Sequence, residues 1–310
     1  MADLFVPPLP RLPDQGELLK VDGMLLDTGG CAANTATDLA RLGVRAAVAG
    51  MVGSDLFGTF ILADLARKGL ASGIRVSSAL PTSQTVILPV QGQDRRYINS
   101  LGANADFTAE DIDRAAVAAS RLLYVGGYLI MPRMTPGSLA DLFRHARHSG
   151  VRTALDVAGV DPSDAMRRLA PVLPFTDVFL PNDDEAALIT GEEDPSRQAE
   201  AFVRAGAGTV IVTRGESGVL VRIREREIRA GVFAVDCVDA SGSGDAFAAG
   251  FITAMLEGWD LEQTIAFASA VGASCCTRLG CTAGVFDRAQ AMAFVAGNRL
   301  AMTSVTGAIG

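Results

Sequence analysis

The sequence predicts an α/β protein, with a mostly parallel sheet packed against helices and a second, smaller β-sheet set apart from it. Three observations carry this expectation. After Gly102, short strand-like runs alternate with helical patterns, which is the mark of crossover units and a parallel sheet. Two β-like runs, 84–90 and 95–99, flank Gln91-Gly92-Gln93-Asp94, a hairpin signal that stands outside that alternation. Hydrophobic residues make up 49% of the 310 and charged residues 20%, enough apolar material for a sizeable core.

Taken in order, residues 1–13 are apolar and proline-rich, and 18–26 read as one or two strands around the turn signal Asp22-Gly23. Gly29-Gly30 opens a helix that runs through Leu42 and stops at Gly43, since a glycine commonly follows a last helical turn. A short buried strand is expected at 46–50 and a helix at 55–68. The 84–99 hairpin, together with 18–26, supplies the small sheet. Strands follow at 122–125, 152–156, 178–180 and 209–213, interleaved with helices at 138–148, 183–190 and 196–205. Residues 218–223 and 227–230 read as a hairpin at the sheet's edge, before long helices at 244–257 and 261–278. There is no internal repeat and no low-complexity linker.

A formal net charge of −8 argues against nucleic-acid binding through a general basic surface. No apolar run approaches the roughly 18 residues of a membrane span. The partners expected are small molecules. Of five cysteines (Cys31, Cys237, Cys275, Cys276 and Cys281) none forms a CxxC pair, and Cys275-Cys276 reads as buried helix packing. The only histidines, His145 and His148, have no cysteine near them in sequence, so spacing predicts no zinc site. An odd cysteine count without a secretory signal points to the cytoplasm.

The richest chemistry lies in Asp239-Ala240-Ser241-Gly242-Ser243-Gly244-Asp245. A glycine turn feeding a helix leaves the first N–H groups without internal partners, at the positive end of the helix dipole. Glycines let a phosphate approach those groups, and Asp245 stands where it can take a proton from a hydroxyl. Singly, such features also have structural readings. The triplet can be an ordinary turn, Asn182 and Glu185 a capping box, and Asn34 a helix cap.

In combination they resemble a known family. Gly29-Gly30-x-x-x-Asn34-x-Ala36, Gly50-x-Val52-Gly53-x-Asp55-x-x-Gly58, Asn182-x-x-Glu185, Thr213-Arg214-Gly215-x-x-Gly218 and Asp239-x-x-Gly242-x-Gly244-Asp245 stand in the order and spacing of the ribokinase-like (PfkB) carbohydrate kinases. The resemblance implies a three-layer α/β/α, Rossmann-like fold with a small β-sheet lid. Residues 31–80 and 103–310 would form the catalytic domain, and 1–30 and 81–102 the lid. It implies ATP-dependent phosphorylation of a sugar hydroxyl. Asp245 would be the base, and Gly242, Ser243 and Gly244 the anion hole. Asn182, Thr213, Gly215 and Gly218 would bind the nucleotide, and Glu185 would reach Mg2+ through water. Asp3, Gly30, Asn34 and Asn99 would bind the acceptor. Asp239 and Ser241 would form part of a site for a monovalent cation such as K+, completed by the loop at 280–284. Lid-mediated homodimers are also implied.

Two departures qualify the resemblance. The family pattern has a buried strand and a glycine before the acid that Asp3 matches; this chain starts almost on that acid. The first strand is therefore expected to be missing, with exposed sheet edges and a true start further upstream. Ribose-specific members also carry a lysine after the double glycine, where this chain has Cys31, and a glutamate near Gly127-Tyr128-Leu129, where it has no acid. Ribose is therefore not the expected acceptor; another sugar, a sugar acid or a nucleoside fits better. Tyr128 would stack on a ring or pack beneath the lid. The alternatives are a nucleoside kinase of this fold and a non-catalytic binding or regulatory protein. A nicotinamide oxidoreductase is excluded by the lack of an early strand–GxGxxG–helix unit.

Overall fold

The computed structural model describes residues 1–70, 73–93 and 95–306; Asp94, in the expected hairpin turn, lies outside them. The chain begins β1 (Ala2–Phe5), β2 (Leu25–Thr28), α1 (Cys31–Arg41), β3 (Ala49–Gly53), α2 (Leu56–Arg67), β4 (Gly73–Ser77), β5 (Gln84–Leu88) and β6 (Arg96–Ser100). It continues α3 (Arg114–Ala118), β7 (Leu122–Val125), α4 (Pro136–His148), β8 (Arg152–Leu155), α5 (Ala165–Leu169), β9 (Val178–Phe179), α6 (Asp183–Thr190), α7 (Pro195–Arg204) and β10 (Thr209–Thr213). It ends β11 (Val219–Ile223), β12 (Arg226–Ala230), α8 (Ser243–Glu257), α9 (Leu261–Cys275), α10 (Arg288–Gly297) and β13 (Met302–Thr306).

The largest sheet has the order β13-β12-β11-β10-β9-β8-β7. Strands β7 to β10 run parallel and the rest antiparallel. Alternation along its strands buries both faces. Leu155, Phe179, Val210 and Val212 pack against Leu142 and Phe143 of α4 and Phe202 of α7. Their neighbours Ala154, Val178 and Ile211 pack against Phe247 and Phe251 of α8 and Ile265 of α9. Period-two alternation with apolar residues on both faces dictates helices on both sides, hence three layers. Among the described residues, no helix is long and apolar enough to cross a membrane.

Strands β3 and β4 form a separate parallel pair. Ala49 and Met51 of β3 share a hydrophobic cluster with Leu123 and Val125 of β7, yet the two strands belong to different sheets. A third sheet has the order β2-β1-β5-β6, with β1 parallel to β5 and the other pairs antiparallel.

Several sequence expectations change here. Residues 2–5, read from composition as apolar and proline-rich and placed in the lid through the resemblance, form a central strand of the small sheet, whereas strand structure in the 18–26 region begins only at Leu25. Strand β4 was not anticipated: its residues are half-buried or exposed and carry Arg75, so its apolar signal is weak. The β11–β12 hairpin is not the edge, because β13 adds outside it. The helix expected to reach residue 278 ends at Cys275, with Cys276 as its C-cap.

Candidate active site

Helix α8 starts at Gly242, whose φ of 77° is left-handed, and a Cβ there would lie 2.4 Å from the Cys281 carbonyl oxygen. Only glycine meets both conditions. A Cβ on Gly244 would meet nothing within 4 Å, so the helix entrance opens into free space. The Ser243 N–H donates to the Ala240 carbonyl at 3.2 Å. This bond occupies one of the three donors expected of the anion hole, Gly242, Ser243 and Gly244; the N–H groups of Gly242 at the N-cap and Gly244 in the first turn lack intrahelical partners by position, as does that of Asp245.

Asp245 is half-buried in the first turn of α8. Its Oδ2 accepts a hydrogen bond from Asn34 Nδ2 at 2.9 Å, across 211 residues of sequence. Burial pushes its pKa up to about 7; hydrogen bonds from Asn34 and the Cys31 thiol oppose the rise, and the Asp3 charge adds to it.

Asp3 reaches the same place from β1. Gly29 makes this possible, since a Cβ there would lie 1.7 Å from Asp3 Oδ2. Gly30, at φ 96°, is the N-cap of α1. Reciprocal contacts hold that turn to the start of β1: the Met1 ammonium donates to the Gly29 carbonyl and the Gly29 N–H to the Met1 carbonyl, both at 2.9 Å. Asp3 is buried with Oδ1 unpartnered, and burial raises its pKa to about 6, against the nearby Met1 ammonium and the Thr85 hydroxyl. In the sheet register Asp3 lies opposite both Asp27 and Thr85, and Thr85 opposite Asn99. Directly opposed residues share a face, so Asp27, Asp3, Thr85 and Asn99 form one polar row across four strands. Asn99 Nδ2 donates to Thr85 Oγ1 at 2.9 Å. Along the same face, Phe5 and Ile87 pack with Leu279 and Cys281, seating the sheet on the loop that backs Gly242.

Asn182 and Glu185 make the capping box of α6: Glu185 N–H to Asn182 Oδ1 at 2.8 Å, and Asn182 N–H to Glu185 Oε2 at 3.0 Å. The box engages one carboxylate oxygen through this bond. Burial raises the Glu185 pKa to about 7; the Asn182 N–H opposes this, while Asp245 and Asp184 reinforce it. Thr213 lies beside this cap, its N–H donating to the Pro181 carbonyl at 3.1 Å. The turn through Gly215 and Gly218 is closed by the Arg214 N–H on the Gly218 carbonyl at 2.8 Å.

Asp239 accepts the Ser241 N–H at 3.0 Å on one oxygen and the Gly280 N–H at 3.1 Å on the other, which ties the two loops together. The Ser241 hydroxyl is buried and unpartnered. Arg41 of α1 clamps the second loop through the Thr282 and Val285 carbonyls at 2.8 and 2.9 Å.

One acid was missed. Asp156 follows the C-terminal end of β8, accepts from the Tyr124 hydroxyl at 3.0 Å and from the Val157 N–H at 2.8 Å, and stands near Glu185 and Asp245. Burial, then those two carboxylates, raise its pKa well above the ordinary value. Its position was a usable signal, because ligands of open α/β sheets bind outside the carboxyl ends of strands. Tyr128 settles the other way: it is fully buried in the core, its ring against the Arg168 guanidinium at 4.8 Å.

Comparison with known proteins accords with this geometry. The model of the pfkB family carbohydrate kinases matches residues 5–287. The chain is 26% identical over 294 residues to the ribokinase of Haemophilus influenzae, covering 93% of each. It is 31% identical over 266 residues to the adenosine kinase of Saccharomyces cerevisiae, covering 80% of this chain and 77% of that one. The solved ribokinase of Arabidopsis thaliana, complexed with ribose and ATP, aligns with a TM-score of 0.79 at 25% identity over 95% of both chains. With a family match over most of its length and a ribokinase-like architecture, the chain belongs to the pfkB family of carbohydrate kinases.

Proposed function

We propose that this kinase transfers the γ-phosphoryl group of ATP to a hydroxyl of a small sugar or sugar-like acceptor, with Asp245 as the general base. One observation carries the reading: Asn34 is bonded to Asp245 at the open entrance of α8, and Asp3, a member of the polar row of the small sheet, lies close enough for its charge to raise the Asp245 pKa. The acceptor hydroxyl would lie between Asp245 and Asp3, with Gly30, Asn34 and Asn99 around it. As its oxygen bonds to the γ-phosphorus, its proton passes to Asp245 and the bond to the ADP oxygen breaks. A base with a pKa of about 7 suits this transfer at neutral pH. Asn34 holds the carboxylate in place. The Gly242 and Gly244 N–H groups of the expected anion hole, joined by that of Asp245, would stabilise the charge that develops on the phosphoryl oxygens, while the Ser243 N–H is taken by the Ala240 carbonyl.

The nucleotide would lie along Asn182, Thr213, Gly215 and Gly218. The donor set suits magnesium: Glu185 is a hard oxygen ligand whose ionisation is opposed by burial and by two neighbouring acids, a penalty that a divalent cation relieves. When bound there, magnesium neutralises phosphate charge. The small sheet, residues 1–30 and 81–102 in this reading, serves as the lid over the body formed by 31–80 and 103–310, keeping water from the phosphoryl group. With Tyr128 in the core, a base-stacking candidate is lost, which favours a sugar over a nucleoside.

The test is a panel of sugars, sugar acids and nucleosides assayed for ADP release with Mg-ATP. Turnover on a sugar is expected. Release no faster than background hydrolysis across the panel would favour a non-catalytic binding protein.

A further inference from the structure

We propose that Cys31, Asp156 and Asp245 form a binding site for a thiophilic divalent cation of the zinc class, and that its occupancy inhibits the kinase by capturing the general base. The spacing of cysteines and histidines in the sequence gives no hint of such a site. The fold assembles it from three places: the first residue of α1, the end of β8 and the first turn of α8.

The Cys31 Sγ and one carboxylate oxygen each from Asp156 and Asp245 lie within 4.8 Å of one another. Zinc takes thiolate sulfur at about 2.3 Å and carboxylate oxygen at about 2.0–2.2 Å in a tetrahedron. Donors around it would therefore stand roughly 3.5 Å apart, and side-chain movements on the order of 1 Å close the site. Three protein donors with one further position is a recognised zinc arrangement.

A second observation concerns Asn34. It is 4% exposed, and while its Nδ2 is bonded to Asp245 Oδ2 at 2.9 Å, its Oδ1 has no partner. An unpaired buried carbonyl oxygen is costly. This one belongs to the amide whose nitrogen is bonded to Asp245 Oδ2, and with a cation in place of that hydrogen bond a turn of the amide about its terminal bond would present this oxygen as the fourth donor.

Electrostatics point the same way. The groups that hold the Cys31 thiol in its neutral form, after burial, are Asp245, Asp156 and Glu185, and Asp156 is in turn opposed by Glu185 and Asp245. No lysine or arginine stands among the leading influences on these three groups. A divalent cation converts their mutual repulsion into shared attraction, and the thiol proton leaves to solvent as sulfur coordinates. Sulfur also sets the selectivity. Magnesium demands an octahedron of oxygens, whereas thiolate favours zinc and its soft relatives. The inhibitory consequence rests on the assignment of Asp245 as base; the binding itself does not.

The experiment separates the two. A Cys237→Ser/Cys276→Ser background removes the exposed thiol and its neighbour as competing ligands. Cobalt(II) titrated into this protein should give a thiolate-to-cobalt charge-transfer band saturating at one ion per chain, displaced by zinc and untouched by excess magnesium. Adding Cys31→Ser should abolish the band. Asp156→Asn should weaken zinc binding, measured calorimetrically, by at least about tenfold. A band that survives Cys31→Ser, or zinc affinity unchanged in Asp156→Asn, overturns the proposal; the second variant decides alone if Cys31→Ser does not fold. Zinc inhibition of ADP release that a chelator reverses supports the inhibitory role. Stoichiometric zinc binding through Cys31 with undiminished turnover overturns that role.

Discussion

Replacing Asp245 by asparagine tests the centre of the proposed mechanism. The change is nearly isosteric, and the new amide oxygen can still accept the Asn34 N–H that now meets Asp245 Oδ2 at 2.9 Å. Burial is the largest influence on this carboxyl and already opposes its ionisation, so the fold loses little when the charge is removed. What is lost is the proton acceptor. A positioned general base contributes about 10²- to 10⁴-fold, equivalent to about 2.7–5.5 kcal/mol of barrier. The upper half of that range is expected, because Asn34 fixes the carboxylate and the half-buried position of Asp245 limits replacement by solvent. The assay is the initial rate of ADP release at saturating Mg-ATP with the best acceptor from the panel, alongside calorimetric ATP binding. In the wild type kcat/KM should rise with pH through about 7 and then level off, since the base works only when deprotonated. In Asp245→Asn that step should vanish, turnover should fall at least about 10³-fold, and ATP affinity should hold. Turnover within about tenfold of wild type, or a wild-type rate with no step near neutrality, would refute the reasoning.

Two further expectations follow from the geometry. Gly242→Ala places a Cβ in a left-handed conformation, 2.4 Å from the Cys281 carbonyl; the strain of roughly 1–2 kcal/mol and the clash should shift the start of α8, lowering the melting temperature and cutting kcat by about 10²-fold or more. Wild-type kinetics in that variant would remove the anion hole from the mechanism. Asp38 is fully buried with neither carboxylate oxygen hydrogen-bonded, and burial, then the Asp245 charge, raise its pKa from 3.8 to about 9 against Arg41 and Lys68. Between those values the folded chain holds a proton that the unfolded chain has released, so this residue makes stability fall as pH rises across the window. Asp38→Asn removes that dependence. Its melting-temperature advantage over wild type should grow with pH through the window, and a difference that does not change with pH would show the carboxyl to be ionised in the fold.

How far the site was legible depends on how local each feature is. The turn at Gly242 and the helix after it follow from glycine's freedom and an apolar, proline-free run. The Asn182–Glu185 capping box was readable as an alternative to a metal role, and the structure forms the box while leaving Glu185 beside Asp245. Boundaries failed where proline or polarity misled. Helices α4 and α7 begin at Pro136 and Pro195, the first helical position that proline suits, slightly before the apolar pattern suggested. Strands β1 and β13 are short, and their partners lie far along the chain, Gln84–Leu88 for β1 and Arg226–Ala230 for β13. Their pairing is decided by the sheet they join, and local propensity says little about it.

By itself the sequence determined the fold class, the family and the local chemistry of Gly242 to Asp245, because glycine conformations, helix starts and motif order are written within a few residues. Only the tertiary structure decided that Asn34 is bonded to Asp245 with Asp3 nearby, that a polar row crosses the small sheet, that Tyr128 belongs to the core, and that Cys31 stands close to Asp156. The physical reason is distance along the chain. Asn34 and Asp245 are separated by 211 residues, and their contact is set by strand register and by the packing of α1 on α8, which no local pattern encodes.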